Sequence, residues 1–140
     1  MAVEFQASKT RENLMRAFAG ESQARNRYTI AADTARKQGL YSIEQVFLFT
    51  ADQERAHAER FYCLLKNLSG TTIEISGGYP VDHSDDVAEL LKKAEHNEKE
   101  EADDVYQAFG NEAKTEGFTE AAAAFFQIAE IEAFIQARSK

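Results

Sequence analysis

Residues 69–81 read SGTTIEISGGYPV and separate two halves of the chain that have a helical composition. The stretch contains Pro80, the only proline, and three of the seven glycines. Its Thr-Thr-Ile-Glu-Ile portion favours an extended backbone, because β-branched residues are weak helix formers. The sequence on both sides is rich in Ala, Glu, Gln, Lys, Arg and Leu, which favour helices. We therefore expect two helical blocks joined by a long extended connection.

Glycine residues divide each block into two helices. Gly39 ends the first helix, and Gly117 ends the third. The predicted helices cover about residues 10–38, 42–68, 84–116 and 119–138, and residues 69–83 form the connection between the second and the third. Because the links at the two glycines are short, each block is expected to be an antiparallel hairpin.

Two helical hairpins joined by a long crossover predict an all-α, ferritin-like four-helix bundle, since a simple up-down bundle needs only short loops. The chain has 140 residues, of which 44% are hydrophobic, and is expected to form a single domain over residues 1–140. A flexible crossover would also let one hairpin pack on a second chain. A domain-swapped assembly is therefore an alternative to a closed bundle.

The charge and the cysteine content argue against several classes of protein. A formal net charge of −8 disfavours binding to nucleic acid or to an anionic membrane, because both require a basic surface. Cys63 is the only cysteine, so the chain forms neither an internal disulfide nor a four-thiolate metal site. The polar N-terminal segment and the lack of a run of 18 apolar residues disfavour secretion and membrane insertion. These features predict a cytoplasmic protein.

Acidic residues interrupt the apolar stripe of every predicted helix. In the first helix, Glu21 continues the stripe of Leu14 and Phe18 at spacings of four and three residues. The acids of the other three helices also lie near the middle of a stripe, and one of them is followed by a histidine one turn later. The full set is Glu21, Glu54, His57, Glu98, Glu101 and Glu132.

These six side chains predict a metal centre inside the bundle. An ionised carboxylate in a low-dielectric core costs several kcal/mol, so a group of about five persists there only if cations neutralise it. A mixed shell of carboxylate and imidazole ligands suits iron or manganese. For each acid alone the alternative is a solvated helix face, above all in the acid-rich third helix. The recurrence of an acid at the same level of all four helices favours the metal centre.

Three motifs resemble those of the rubrerythrin family. Residues 17–28, AFAGESQARNRY, are similar to the first-helix signature of that family, and residues 51–61, ADQERAHAERF, are similar to its second-helix motif. The third helix shares the pair Glu98-x-x-Glu101, and it is followed by the family's Glu-Gly-Phe sequence at residues 116–118. The resemblance covers nearly the whole chain.

The resemblance implies a non-haem di-iron peroxidase that reduces hydrogen peroxide to water and protects the cell against oxidative stress. The cofactor would be two iron ions that cycle between Fe²⁺ and Fe³⁺, with manganese or zinc as substitutes. By match, the ligands would be the six residues of the predicted metal centre. Tyr28 and Tyr106 would lie close enough to form hydrogen bonds with the bound carboxylates or with peroxide. The resemblance also implies a homodimer.

Two departures from the family pattern change these expectations. Most rubrerythrins carry a C-terminal rubredoxin domain, and its four cysteines are absent from this sequence. The resemblance therefore implies a form without that domain, served by an external electron donor such as rubredoxin. The family also has a histidine where Ile135 stands, so one metal would lack its usual nitrogen ligand. The alternatives are a ferroxidase or iron-binding protein, and a non-catalytic helical protein whose metal site is impaired.

Overall fold

The computed structural model describes residues 3–138, with side chains described for residues 3–134. Its helices are α1 (Lys9–Lys37), α2 (Tyr41–Cys63), α3 (Val87–Glu100), α4 (Tyr106–Glu116) and α5 (Thr119–Arg138). A π-helical turn, Glu101–Val105, joins α3 directly to α4, and short 3₁₀ helices cover Phe5–Ala7 and Lys66–Leu68. No strand occurs between residues 3 and 138, and the prediction of an all-α fold is confirmed. No helix in this range is both long and apolar enough to cross a membrane.

Each half of the chain forms an antiparallel hairpin whose turn contains a glycine. In the link between α1 and α2, Gly39 has a φ of 77°, and at the end of α4 Gly117 has a φ of 92°. Both values lie in the left-handed region, which is strained for residues that carry a Cβ atom. These two glycines therefore end their helices and reverse the chain, which brings α1 against α2 and α4 against α5.

Two boundaries differ from the predicted ones. Helix α2 ends at Cys63 rather than near residue 68, and a short 3₁₀ helix follows it. Helix α3 begins at Val87 rather than near residue 84, because Asp86 keeps an extended backbone and its Oδ1 accepts a hydrogen bond from Glu89 N at 3.2 Å. This contact caps the helix at Asp86. The connection between the hairpins therefore covers residues 69–86 rather than 69–83.

The crossover runs along α1. Near the start of α1, Arg16 Nε donates a hydrogen bond to Ser76 O at 2.9 Å. Beyond its end, Gln38 Nε2 donates one to Asp85 O at 2.6 Å. The chain thus passes from one end of the first hairpin to the other before α3 begins.

The core consists of two apolar clusters with a layer of acids between them. The first cluster is built around Leu14, Phe61, Tyr106, Phe125 and Ile128, and the second around Tyr28, Ala35, Phe47, Val87 and Leu90. Along α1, Ala17 belongs to the first cluster and Ala24 to the second, and Glu21 lies between them. The Glu21 side chain is therefore enclosed by apolar groups on both sides and has no exposed surface.

A close approach of α4 to α5 depends on Gly110. A Cβ atom at this position would lie 2.4 Å from Cε1 of Phe126, a ring that packs against the first cluster. We expect Gly110→Ala to destabilise the fold by about 1–3 kcal/mol, because overpacking exceeds the gain of about 1 kcal/mol in helix propensity. Urea unfolding measures the change. Gly78→Ala is the matched control, since nothing lies within 4 Å of its added Cβ, and an equal response of the two variants would contradict the prediction.

Candidate metal centre

Three helices bring four of the predicted ligands to one point. Glu21 on α1, Glu54 and His57 on α2, and Glu132 on α5 each offer a ligand atom, and these atoms lie within 4.8 Å of one another. The three carboxylates are at most 2% exposed, and the His57 side chain is 12% exposed. The apolar stripes place them there, because each glutamate replaces a core residue in a helix whose neighbouring turns are buried.

Glu98 and Glu101, the predicted ligands of the third helix, lie beside this group. Glu98 Oε1 is 3.5 Å from the hydroxyl of Tyr28, and both acids are partly buried. The charge of Glu98 raises the pKa of Glu54, after the larger effects of burial and Glu21. The acids of α3 and of the π-helical turn therefore act on the same buried carboxylates.

Five buried ligand atoms of this group lack a hydrogen-bond partner. They are Glu21 Oε2, Glu54 Oε2, His57 Nδ1 and both carboxylate oxygens of Glu132. His57 Nδ1 lies 3.8 Å from Glu21 Oε2 and 3.8 Å from Glu132 Oε1. A buried polar atom without a partner costs about 1–3 kcal/mol, and more if it is charged. A cation satisfies acceptors arranged in this way, so the residues present fit a metal centre.

Burial controls the protonation of the centre. It raises the pKa of Glu21 to about 7 and, together with the charges of Glu54 and Glu98, raises the pKa of Glu101 to about 8. Burial and the surrounding carboxylates also raise the pKa of Glu132, whereas burial lowers the pKa of His57. The imidazole is therefore neutral at pH 7 and free to bind a cation, and metal binding displaces protons from the carboxylates.

Both predicted tyrosines lie next to candidate ligands. The hydroxyl of Tyr106 donates a hydrogen bond to Glu21 Oε1 at 2.7 Å, whereas the Tyr28 hydroxyl is at the long distance of 3.5 Å from Glu98 Oε1. Burial raises the pKa of both phenols, so both remain protonated donors.

The π-helical turn explains how Tyr106 reaches the centre. Five residues of α-helix advance the chain by about 140° beyond a full turn, which would direct Tyr106 away from the face of Glu101. A π-helical turn pairs residue i with residue i+5, so it returns Tyr106 to that face. The sequence analysis missed this turn, although the five-residue spacing between the two residues was its signal.

Arg27 is a neighbour of the centre that the sequence analysis did not identify. Its guanidinium lies 5.4 Å from the centroid of the Tyr28 ring, and its Nη1 is 3.9 Å from Asp82 Oδ2 on the crossover. Asp82 Oδ2 also accepts a hydrogen bond from Asn97 Nδ2 at 2.8 Å. This contact connects α1, the crossover and α3 beside the acids. It had no sequence signal, because Asp82 lies in an irregular segment.

The prediction that Ile135 stands in place of a histidine ligand concerns a side chain that lies outside the described residues. The backbone of Ile135 belongs to α5.

Comparison with known proteins identifies a family for this chain. The family profile described as Rubrerythrin matches residues 12–134. The chain belongs to the rubrerythrin family. The rubrerythrin of Clostridium perfringens is 48% identical over 126 residues, which are 89% of this chain and 65% of that protein. The rubrerythrin of Porphyromonas gingivalis is 46% identical over 133 residues, which are 95% of this chain and 65% of that protein. The chain thus spans 65% of the length of these two rubrerythrins.

Solved structures of nigerythrin share the fold of this rubrerythrin-family chain. One, in a mixed-valent state, has a TM-score of 0.69 and 30% sequence identity, and the match covers 97% of this chain and 71% of that chain. Another, fully reduced and all-ferrous, has the same TM-score and identity over 94% and 70% of the two chains. The prediction of a ferritin-like four-helix bundle is confirmed.

The hydrogen bond from the Tyr106 hydroxyl to Glu21 predicts an effect of Tyr106 on metal affinity. We expect Tyr106→Phe to weaken metal binding by about 10–100-fold, because hydrogen bonds to a ligand orient it and tune its basicity. Tyr28→Phe is the control and should have a smaller effect, since its contact is 3.5 Å long. Competition titrations with Co²⁺ against a chelating indicator measure both affinities. Equal losses in the two variants would contradict a role for the short contact.

Proposed function

We propose that this protein is a non-haem di-iron peroxidase that reduces hydrogen peroxide to water with electrons from an external donor. The observation that carries the proposal is the set of buried ligand atoms without partners on α1, α2 and α5. Such atoms are rare in native folds and call for a specific reason, which a bound metal supplies. Membership of the rubrerythrin family, and the likeness to a nigerythrin solved in an all-ferrous state, support iron as the metal.

Six side chains would hold the two ions: Glu21, Glu54, His57, Glu98, Glu101 and Glu132. Their carboxylate oxygens and imidazole nitrogen form a donor set that suits iron. When bound, the reduced iron pair would supply the two electrons that cleave the O–O bond of hydrogen peroxide. The apolar clusters on both sides of the acid layer limit the access of bulk water to the centre.

The tyrosines would hold protons for this reaction, which consumes two protons for each peroxide. The hydroxyl of Tyr106 stays protonated at neutral pH, because burial raises its pKa, and it already donates to Glu21 Oε1. Tyr28 holds a second hydroxyl beside Glu98. We assign proton positioning to these two residues.

The partners and the compartment belong to the same proposal. An external one-electron donor such as rubredoxin would reduce the centre, and the protein would act in the cytoplasm as a homodimer. The long crossover would also permit a domain-swapped form of that homodimer.

Anaerobic reconstitution with Fe²⁺ followed by addition of peroxide tests the proposal. We expect about two iron ions per chain, as in other two-metal centres, and oxidation by about one peroxide per iron pair. Rapid turnover of added Fe²⁺ without a reductant would instead support a ferroxidase. About one metal ion or fewer, with no fast oxidation, would show that the site is impaired and would overturn the proposal.

A further inference from the structure

A cavity of about 520 Å³ lies between α1, the crossover, and the stretch formed by α3, the π-helical turn and α4. Its wall on α1 contains Gly20 and Gln23, and its wall on the crossover contains residues 77–80. The crossover residues at its outer side are exposed, so the cavity opens to solvent. Its volume falls within the range of about 300–1,000 Å³ that is typical of pockets for small organic ligands.

Two residues at the metal centre also line the cavity. They are Glu101, a proposed ligand, and Tyr106. The Tyr106 hydroxyl donates a hydrogen bond to Glu21 Oε1 at 2.7 Å. A molecule in the cavity would thus contact side chains that border the buried carboxylates.

Part of the cavity lining is apolar, and the cavity is too large for hydrogen peroxide alone. Ala17, Val105 and Phe109 supply apolar lining, and the ring of Tyr79 lies 3.5 Å from the position of a Cβ atom on Gly20. Hydrogen peroxide has two heavy atoms and needs little more room than a water molecule, which occupies about 30 Å³ in the liquid. The remaining apolar space fits a hydrocarbon group.

The charges around the cavity favour a neutral occupant. Arg16 is the only cation among the described lining residues, and its guanidinium already donates hydrogen bonds to Ser76 O at 2.9 Å and to Asn13 Oδ1 at 2.8 Å. Glu100 and Glu101 add negative charge to the lining. An anionic substrate would therefore lack a free partner and would be repelled.

We propose that this cavity binds the hydrocarbon group of neutral organic hydroperoxides and directs their O–O bond to the metal centre. The inference rests on the proposed peroxidase function and extends its substrate class. The reaction converts ROOH into ROH and water: the O–O bond breaks, two protons are taken up, and two electrons come from an external one-electron donor protein. Gly20 determines the space available to the hydrocarbon group, and Tyr79 covers it.

A comparison of the rates at which cumene hydroperoxide and hydrogen peroxide oxidise the protein tests this role of the cavity. The iron-loaded full chain is reduced with dithionite, and the second-order rate constants for its oxidation by each peroxide are measured by stopped flow. We expect Gly20→Leu to lower the ratio of the cumene hydroperoxide rate constant to that of hydrogen peroxide by about tenfold or more, because pocket size discriminates on this scale. Asn26→Leu adds the same side chain at an exposed position of α1, and this control should keep the ratio.

Binding of the product alcohol gives a readout that needs neither iron nor turnover. We expect 2-phenyl-2-propanol to shift the aromatic NMR signals of Tyr79 and Phe109 in the metal-free protein and in Asn26→Leu, but not in Gly20→Leu. Tyr79→Ala is a second variant for the case that Gly20→Leu does not fold, since Tyr79 is 40% exposed on the crossover. It should weaken binding of the alcohol, because it removes the ring that covers the cavity.

The outcomes separate this inference from the proposed function. Alcohol binding that Gly20→Leu abolishes, together with a lowered rate ratio, would support the inference. Fast oxidation by hydrogen peroxide with no alcohol binding, or with a rate ratio that Gly20→Leu leaves unchanged, would overturn the inference and leave the peroxidase function intact. No oxidation by either peroxide would refute the peroxidase function and, with it, the reaction inferred here.

Discussion

Glu54→Gln is expected to stabilise the metal-free protein at pH 8 while weakening its affinity for metal by more than about 100-fold. Glu54 is 2% exposed, and its Oε2 has no hydrogen-bond partner. Burial, Glu21 and Glu98 raise its pKa well above the ordinary value. The metal-free fold must therefore either protonate this carboxyl or bury its charge. A neutral amide of the same shape avoids that cost, which is on the order of a few kcal/mol.

Urea unfolding of the metal-free protein and titration with Co²⁺ measure the two effects of Glu54→Gln. The control is Glu59→Gln, which removes an exposed charge from the same helix, where Glu59 pairs with Arg55 at 3.2 Å. Such surface pairs contribute about 0–1 kcal/mol, so the control should change little and should keep its metal affinity. A Glu54→Gln variant with unchanged affinity would rule out Glu54 as a ligand.

The stability of the metal-free protein is expected to fall as the pH rises from about 5 to 8. A carboxyl whose pKa is raised by folding holds its proton more tightly in the folded state than in the unfolded chain. The stability that this proton contributes is fully present below the ordinary pKa of 4.5. It is lost as the pH rises through the pKa of the group in the folded protein, which is about 7 for Glu21 and about 8 for Glu101. Since one pKa unit corresponds to about 1.4 kcal/mol, the total loss is on the order of several kcal/mol.

Bound metal should reverse the dependence of stability on pH. The cation replaces the protons on the carboxylates, so the stabilisation that metal adds grows with pH. Urea unfolding at several pH values, with EDTA or with saturating metal, provides both curves. Glu21→Gln should flatten the metal-free curve, because it removes one titrating group. A metal-free protein whose stability is constant or rises between pH 5 and 8 would contradict the raised pKa values of the acid layer.

The features that sequence could predict follow from periodicity and from glycine. The apolar stripes have a helical period, so an acid within a stripe must face the core, and Glu21, Glu54 and Glu132 are buried as expected. Left-handed turns favour glycine, which made the hairpin links at Gly39 and Gly117 predictable. These signals are local, and they were sufficient for the hairpins and for the residues that converge.

The remaining features depend on tertiary contacts. The start of α3 is set by Asp86, whose side chain caps the helix, rather than near residue 84 as predicted. The π-helical turn returns Tyr106 to the face of Glu101, and helical propensity alone does not predict such a turn. The contact of Arg27 with Asp82 joins α1 to the crossover, which is far from it in sequence. Sequence reasoning could list the candidate ligands but could not predict how their surroundings are oriented.

The acid layer between the two apolar clusters has a consequence for cooperativity. In most small domains a continuous hydrophobic core makes the whole chain unfold as one unit. Here the continuity is interrupted at the level of Glu21, with apolar packing above and below it. A bound cation would attract the carboxylates of the acid layer and so link the elements that carry the two apolar clusters. The metal would then determine whether the two ends of the bundle share a single unfolding transition, in addition to how stable each end is.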